Sequence, residues 1–164
     1  MSSSTPELTA AVVTVSDSSS RGERADLGGP AVAAALEQEN FRIVAREIVP
    51  DEESRIQEAL TRLCSHARFV VTTGGTGVAP RDVTPEATRA VCDRLIEGVA
   101  ERMRAEGVKS TKFAVLSRAV CGVRGESVIL NLPGKPAGAV ESLQSVIDLI
   151  PHVLRLLSGD TKHD

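Results

Sequence analysis

The sequence predicts a three-layer α/β fold with a mostly parallel central sheet, and three observations predict it. Apolar, β-branched runs recur at residues 8–15, 41–49 and 69–73, helical stripes stand between them, and polar residues follow each run directly. Alternating strands and helices, with the run at 8–15 too apolar to have a wet side, point to a mostly parallel sheet covered on both faces. The 164 residues suffice for one domain with one core. It is expected over 8–158, between a disordered leader at 1–7 and a tail at 159–164.

Taken in order, residues 8–15 (Leu-Thr-Ala-Ala-Val-Val-Thr-Val) make a nearly unbroken apolar run that stops at Ser16-Asp17. A polar loop over 18–27 leads to Gly28-Gly29-Pro30, where Pro30 fits the first position of a helix running to about Glu39. The second strand, 41–49, ends at Pro50-Asp51-Glu52. In the following helix Ile56, Ala59, Leu60, Leu63, Cys64 and Ala67 fall at i, i+3, i+4, i+7, i+8 and i+11, a stripe that faces the sheet. The third strand, 69–73, runs into the loop Gly74-Gly75-Thr76-Gly77. Thr84 is expected to cap the next helix, with Pro85 and Glu86 in a first turn that suits the helix dipole. A further helical piece carries Ile96, Val99, Ala100 and Met103 to Gly107.

Residues 112–116 read as a fourth strand ending at Ser117-Arg118, and 127–132 as a fifth ending at Pro133-Gly134-Lys135-Pro136. The ten residues 117–126 between them are too few for a crossover helix, so a short antiparallel element is expected near 119–125. The last helix runs from Pro136 toward Leu157, with Pro151 a point of kink or division.

Composition excludes several function classes. Aromatic residues make up 2%, with no Trp or Tyr, which disfavours stacking of bases on aromatic platforms. A net charge of −3 and the lack of a long Lys/Arg run argue against extended nucleic-acid or anionic-membrane binding. No apolar run reaches the ~18 residues of a membrane span, and the Met-Ser-Ser-Ser-Thr-Pro-Glu start lacks the parts of a signal peptide. Cys64, Cys92 and Cys121 form no CxxC pair, and their odd number suits a reducing compartment. His66, His152 and His163 are scattered, so neither a metal cluster nor a histidine-based triad is readable. A soluble cytoplasmic protein is the expectation.

In an open α/β sheet, ligands bind beyond the carboxyl ends of the strands. Ser16-Asp17, Asp51, residues 73–82, Ser117-Arg118 and Gly134-Lys135 each follow a predicted strand and would crowd that edge. Glycines 74, 75 and 77 let backbone N–H groups approach an anion, although the loop lacks the Lys-Ser/Thr ending of a Walker loop. Asp51 and Asp82 suit Mg²⁺, which takes one or two carboxylates and completes its shell with phosphate oxygens and water. Arg81, Arg118 and Lys135 offer positive charge. Together these describe nucleotide handling or phosphoryl-type transfer. Hydrolysis by paired carboxylates competes with it, but leaves the glycine loop unexplained.

Five segments carry a resemblance: Thr-Gly-Gly-Thr-Gly (73–77), Arg-Asp-Val-Thr-Pro-Glu-Ala-Thr (81–88), Pro-Asp-Glu (50–52), Leu-Ser-Arg (116–118) and Asn-Leu-Pro-Gly-Lys-Pro (131–136). In that pattern the chain resembles the molybdopterin adenylyltransferases, the MogA type and the G domains of gephyrin and its plant counterpart. The resemblance runs from about residue 10 to residue 158. It implies adenylylation of molybdopterin by Mg-ATP with release of pyrophosphate, in a homotrimer whose product goes on to molybdenum insertion, with a separate partner protein as one route for that step. By motif, Asp51 and Asp82 match the acids of catalysis and Mg-nucleotide handling. Ser117 matches a substrate-site serine, and Gly74, Gly75, Thr76 and Gly77 match the loop that holds the ligand phosphate. Ser16 and Asp17 match a first loop in nucleotide or pterin contact, and Arg118, Pro133 and Gly134 complete the implied substrate-binding set. The residue at position 135 varies among relatives, so the resemblance assigns Lys135 no specific role. MoaB-type relatives usually depart at 50–52 and 81–85, where this chain keeps the adenylyltransferase pattern. The alternatives are a non-catalytic molybdopterin binder or scaffold and a general Mg-nucleotide hydrolase.

Overall fold

The computed structural model describes residues 6–160. Most of the predicted leader and tail lies outside that range. A six-stranded sheet has the order β2-β1-β3-β6-β5-β4. β1 (Thr9–Val15) is buried along its whole length, as the unbroken apolar run requires. A four-residue turn of helix, α1 (Asp17–Ser20), follows it, and α2 (Gly28–Gln38) opens two residues before Pro30. β2 (Arg42–Val49) is the edge strand and is correspondingly half exposed. α3 (Glu53–Leu63) buries the predicted stripe of Ile56, Ala59, Leu60 and Leu63.

β3 (Phe69–Thr73) is fully buried and leads through the glycine loop to α4 (Thr84–Val91). A two-residue strand, β4 (Arg94–Leu95), precedes α5 (Glu97–Gly107). The expected antiparallel element is β5 (Cys121–Arg124), which pairs with β6 (Ser127–Leu132) and with β4. The C-terminal helix is divided: α6 (Pro136–Val146) and α7 (Ile150–Leu157) flank a short 3-10 turn, and Pro151 lies in the first turn of α7, where its missing N–H costs nothing.

The predicted strand at 112–116 is instead a 3-10 helix, Lys112–Leu116. Thr111 Oγ1 accepts from Phe113 N, and the Ala114 and Ser117 N–H groups donate to Thr111 O and Ala114 O. Phe113 and Val115 stand 65% and 63% exposed, so the segment has no buried face of the kind a strand in this sheet requires. The place beside β6 is taken by β5. Four apolar residues after Lys112 are too short a window to separate a period of two from a period of three.

α2, α5, α6 and α7 cover one face of the sheet, packing Leu36, Met103, Leu143 and Leu154 onto Val12, Val71 and Leu130. α3 and α4 cover the other with Ile56, Leu60 and Ala87 against Val13, Val70 and Ile129. β1, β2, β3 and β6 run parallel. The chain leaves β1 for β2 on one side and returns as β3 on the other, which puts the switch point of the sheet, and the crevice it opens, at the carboxyl ends of β1 and β3.

Candidate active site

The first two loops are locked together at that crevice. Asp17 N donates to Asp51 Oδ2 and Asp51 N donates to Asp17 Oδ1, both at 2.9 Å. Arg81 closes the pair with a fork on Asp17, Nε to Oδ2 at 3.0 Å and Nη2 to Oδ1 at 2.9 Å. The two carboxyls acquire opposite character. Hydrogen bonding from Arg81 holds Asp17 below its ordinary value, helped by the Asp51 N–H. Burial pushes Asp51 up, and the charges of Asp17 and Asp82 add to that against the opposing Asp17 N–H and Arg81. Ser16 is spent locally: its hydroxyl caps α1 by accepting from Ser19 N at 3.2 Å.

The glycine loop approaches both catalytic candidates. Gly74 and Gly75 have φ of +104° and +70°, which other residues adopt only under strain. A β-carbon on Gly74 would lie 2.3 Å from Val15 O. One on Gly75 would lie 2.3 Å from Thr84 Oγ1 and 3.2 Å from Asp51 Oδ1, and one on Gly77 would lie 2.8 Å from Asp82 Oδ2. Asp82 Oδ2 also accepts from Ala79 N at 3.0 Å. The loop thus passes within contact of a carboxylate oxygen of Asp51 and of Asp82. On its far side Thr73 Oγ1 donates to Pro133 O at 2.8 Å, and Gly134 packs against Gly74. A β-carbon on Gly28 would lie 3.4 Å from Gly134 O, so the start of α2 faces the same crevice.

Thr84 is not the N-cap that the sequence predicts. Val83 occupies that position without a side-chain cap bond, and the buried Thr84 hydroxyl donates to Gly74 O at 2.9 Å. With Thr84 N donating to Gly75 O at 3.2 Å, the first residue of α4 holds the loop from behind.

Ser117 and Arg118 reach the edge by another route than predicted. They follow the 3-10 helix and precede β5, whose first residue, Cys121, pairs with Leu130 near the end of β6. An antiparallel strand begins where its parallel neighbours finish, so its leading residues arrive at the carboxyl edge. Arg118 N donates to Thr76 O at 2.9 Å, and Ser117 Oγ accepts from Ala119 N at 3.2 Å.

One supporting group escaped sequence reasoning. Asn131, fully buried in β6, donates to Thr72 Oγ1 at 3.0 Å and to Thr88 Oγ1 at 2.9 Å, and accepts from Val120 N at 3.0 Å. Thr88 in turn donates to Thr84 O at 2.9 Å. A polar chain therefore runs from the centre of the sheet to α4 and the glycine loop. The available signal was a lone Asn inside an apolar strand, since a buried amide must find partners.

Among the described residues no group of three or more His, Cys, Asp and Glu could hold a metal ion. The Asp51 and Asp82 pair fits only a cation that draws the rest of its shell from a ligand and water, as Mg²⁺ does with nucleotide phosphates. The charge of Asp82, felt at Asp51, is what such a cation would offset.

A glycine loop beside two carboxylates at the switch point of a parallel sheet is an arrangement that suits phosphate handling in an α/β domain. Residues 11–152 match a family model described as a probable molybdopterin binding domain. The chain is 40% identical over 153 residues to the molybdopterin adenylyltransferase of Helicobacter pylori J99, covering 91% of this chain and 87% of that protein. It is 38% identical to that of Escherichia coli K12, covering 90% and 84%. The crystal structure of the molybdopterin biosynthesis enzyme MoaB from Thermus thermophilus superposes with a TM-score of 0.87 at 46% identity, over 93% of this chain and 97% of that one. The chain belongs to the molybdopterin adenylyltransferase family.

Proposed function

We propose that the protein is an enzyme of molybdenum cofactor biosynthesis that transfers an adenylyl group from ATP to molybdopterin. The terminal phosphate oxygen of the pterin forms a bond to the α-phosphorus of ATP, the bond to the β-phosphate oxygen breaks, and pyrophosphate leaves with that electron pair. The observation that carries this reading is the approach of one glycine loop to both Asp51 Oδ1 and Asp82 Oδ2. Asp51 and Asp82 would hold Mg²⁺, which supplies charge neutralisation at the reacting phosphates. The N–H groups of residues 75–77 cradle phosphate oxygens, the Gly74 N–H being taken by Leu132 O. Arg81 stands 60% exposed beside them as a cation that ligand phosphates attract. Ser16, Asp17, Ser117, Arg118, Pro133 and Gly134 wall the cleft in which substrate binds. Catalysis here is positioning and electrostatics, with no covalent nucleophile required.

Purified protein given molybdopterin and Mg-ATP should yield adenylylated molybdopterin and pyrophosphate. Asp51→Asn and Asp82→Asn should each lower turnover about 100-fold or more while retaining most of the pterin affinity. Tight pterin binding without product would overturn the enzyme reading in favour of a binder or scaffold. ATP turnover without pterin would indicate a hydrolase. In the same proposal the protein works in the cytoplasm as a homotrimer, which sedimentation equilibrium checks, and passes its product to a molybdenum-inserting protein.

A further inference from the structure

The segment that carries Asp82 is gripped from outside the glycine loop by one side chain. Arg118 donates from Nε to Gly77 O and from Nη2 to Asp82 O, each at 2.8 Å, and from Nη1 to the Glu86 carboxylate at 2.6 and 3.1 Å. Its own N–H donates to Thr76 O. All three guanidinium nitrogens are engaged, and the grip joins both ends of the 77–82 turn to the first turns of α4. Within that turn Asp82 N donates to Ala79 O at 3.0 Å, the Asp82 carboxylate accepts from Ala79 N, and Val78 is 70% exposed.

A second arginine holds the first. Arg104, on α5, donates from Nη1 to Ser117 O at 3.4 Å and to Ala119 O at 3.2 Å, the carbonyls on either side of Arg118. A continuous set of contacts therefore runs from α5 through residues 117–119 to the backbone of Asp82.

We propose that Arg118, braced by Arg104, is a positioning residue: it fixes the 76–82 segment, and with it the Asp82 carboxylate, and does not serve as an anion ligand for substrate. Its kinetic consequence rests on the adenylyl-transfer reading above; the structural one does not. The planar fork of a guanidinium can serve two carbonyls and a carboxylate at once, whereas the ammonium of lysine is a compact point charge that cannot match that fork. Charge matters less here than shape.

The test compares Arg118→Lys, Glu86→Gln and Arg104→Ala with wild type by hydrogen exchange and by steady-state kinetics. Arg118→Lys keeps the charge. It should speed amide exchange across residues 76–82 about ten-fold, the loss expected from charge-assisted hydrogen bonds on a partly exposed loop. Its kcat should fall about 10- to 100-fold, the scale of a misplaced catalytic group, with KM for ATP and molybdopterin within roughly three-fold. Arg104→Ala and Glu86→Gln should move the same segment in the same direction by less. Unchanged exchange at 76–82, with KM for either substrate raised ten-fold or more, would make Arg118 a substrate ligand and overturn the proposal. If wild type transfers no adenylyl group, the exchange data still decide the grip, so the two ideas fail separately.

Discussion

The environment of Asp51 sets its proposed function against stability. Burial and two neighbouring negative charges raise its affinity for a proton in the folded state. A carboxyl shifted upward stabilises the fold most when protonated, and that contribution is lost as pH rises from its ordinary value through its raised one. Asp17, shifted downward by Arg81, does the reverse: its contribution is present above the ordinary Asp value and lost as pH falls. Asp51→Asn should therefore have a higher urea midpoint than wild type at pH 7, with the gap closing toward acid, while losing turnover. Asp17→Asn should flatten the acid side of the stability profile. Urea titrations across pH 3–8 check both. Asp51 and Asp82 are legible as acids at predicted loops, but not the reciprocal bond from Asp17 to Asp51, because it joins residues 34 apart.

At the scale of elements, the glycine loop is a shape imposed by its neighbours. Gly75→Ala puts a β-carbon against Thr84 Oγ1 at a positive φ, and should cost about 1–3 kcal/mol. Asn131→Ala should cost about 2–4 kcal/mol, because it strands Val120 N–H and the Thr72 hydroxyl in the core, while Thr88 keeps its bond to Thr84 O. Chemical denaturation measures each, and the second should also reduce turnover by loosening α4 behind the loop. Long buried strands and a striped helix such as α3 are readable because their apolar pattern records the faces that cover them. The 112–116 segment misleads for the complementary reason. Its apolar residues face outward, so their pattern records no core.

For the whole molecule, two apolar layers on one sheet make the buried Cys121 a probe of global unfolding. Burial pushes Cys64 and Cys92 up to about 11 and Cys121 up to about 12. Only the thiolate reacts, and an unfolded thiol titrates near ~8.5. At pH 8 the buried native Cys121 thiol should react with a disulfide reagent more than about 100-fold more slowly than the same thiol in urea, in step with global unfolding; a fast native phase at Cys121 would reveal local opening. No helix among the described residues is long and apolar enough to cross a membrane. By itself the sequence determined the alternation of strands and helices, the antiparallel return near 119–125, the glycine loop and the acids beside it, since each is written in local periodicity or in residue type. Only the tertiary structure decided that Ser117 and Arg118 arrive ahead of an antiparallel strand, that Thr84 and Asn131 hold the loop from behind, and that Arg118 spends its donors on backbone carbonyls and Glu86. Those are pairings across the sheet order, and spacing along a chain carries no record of which distant donor meets which acceptor.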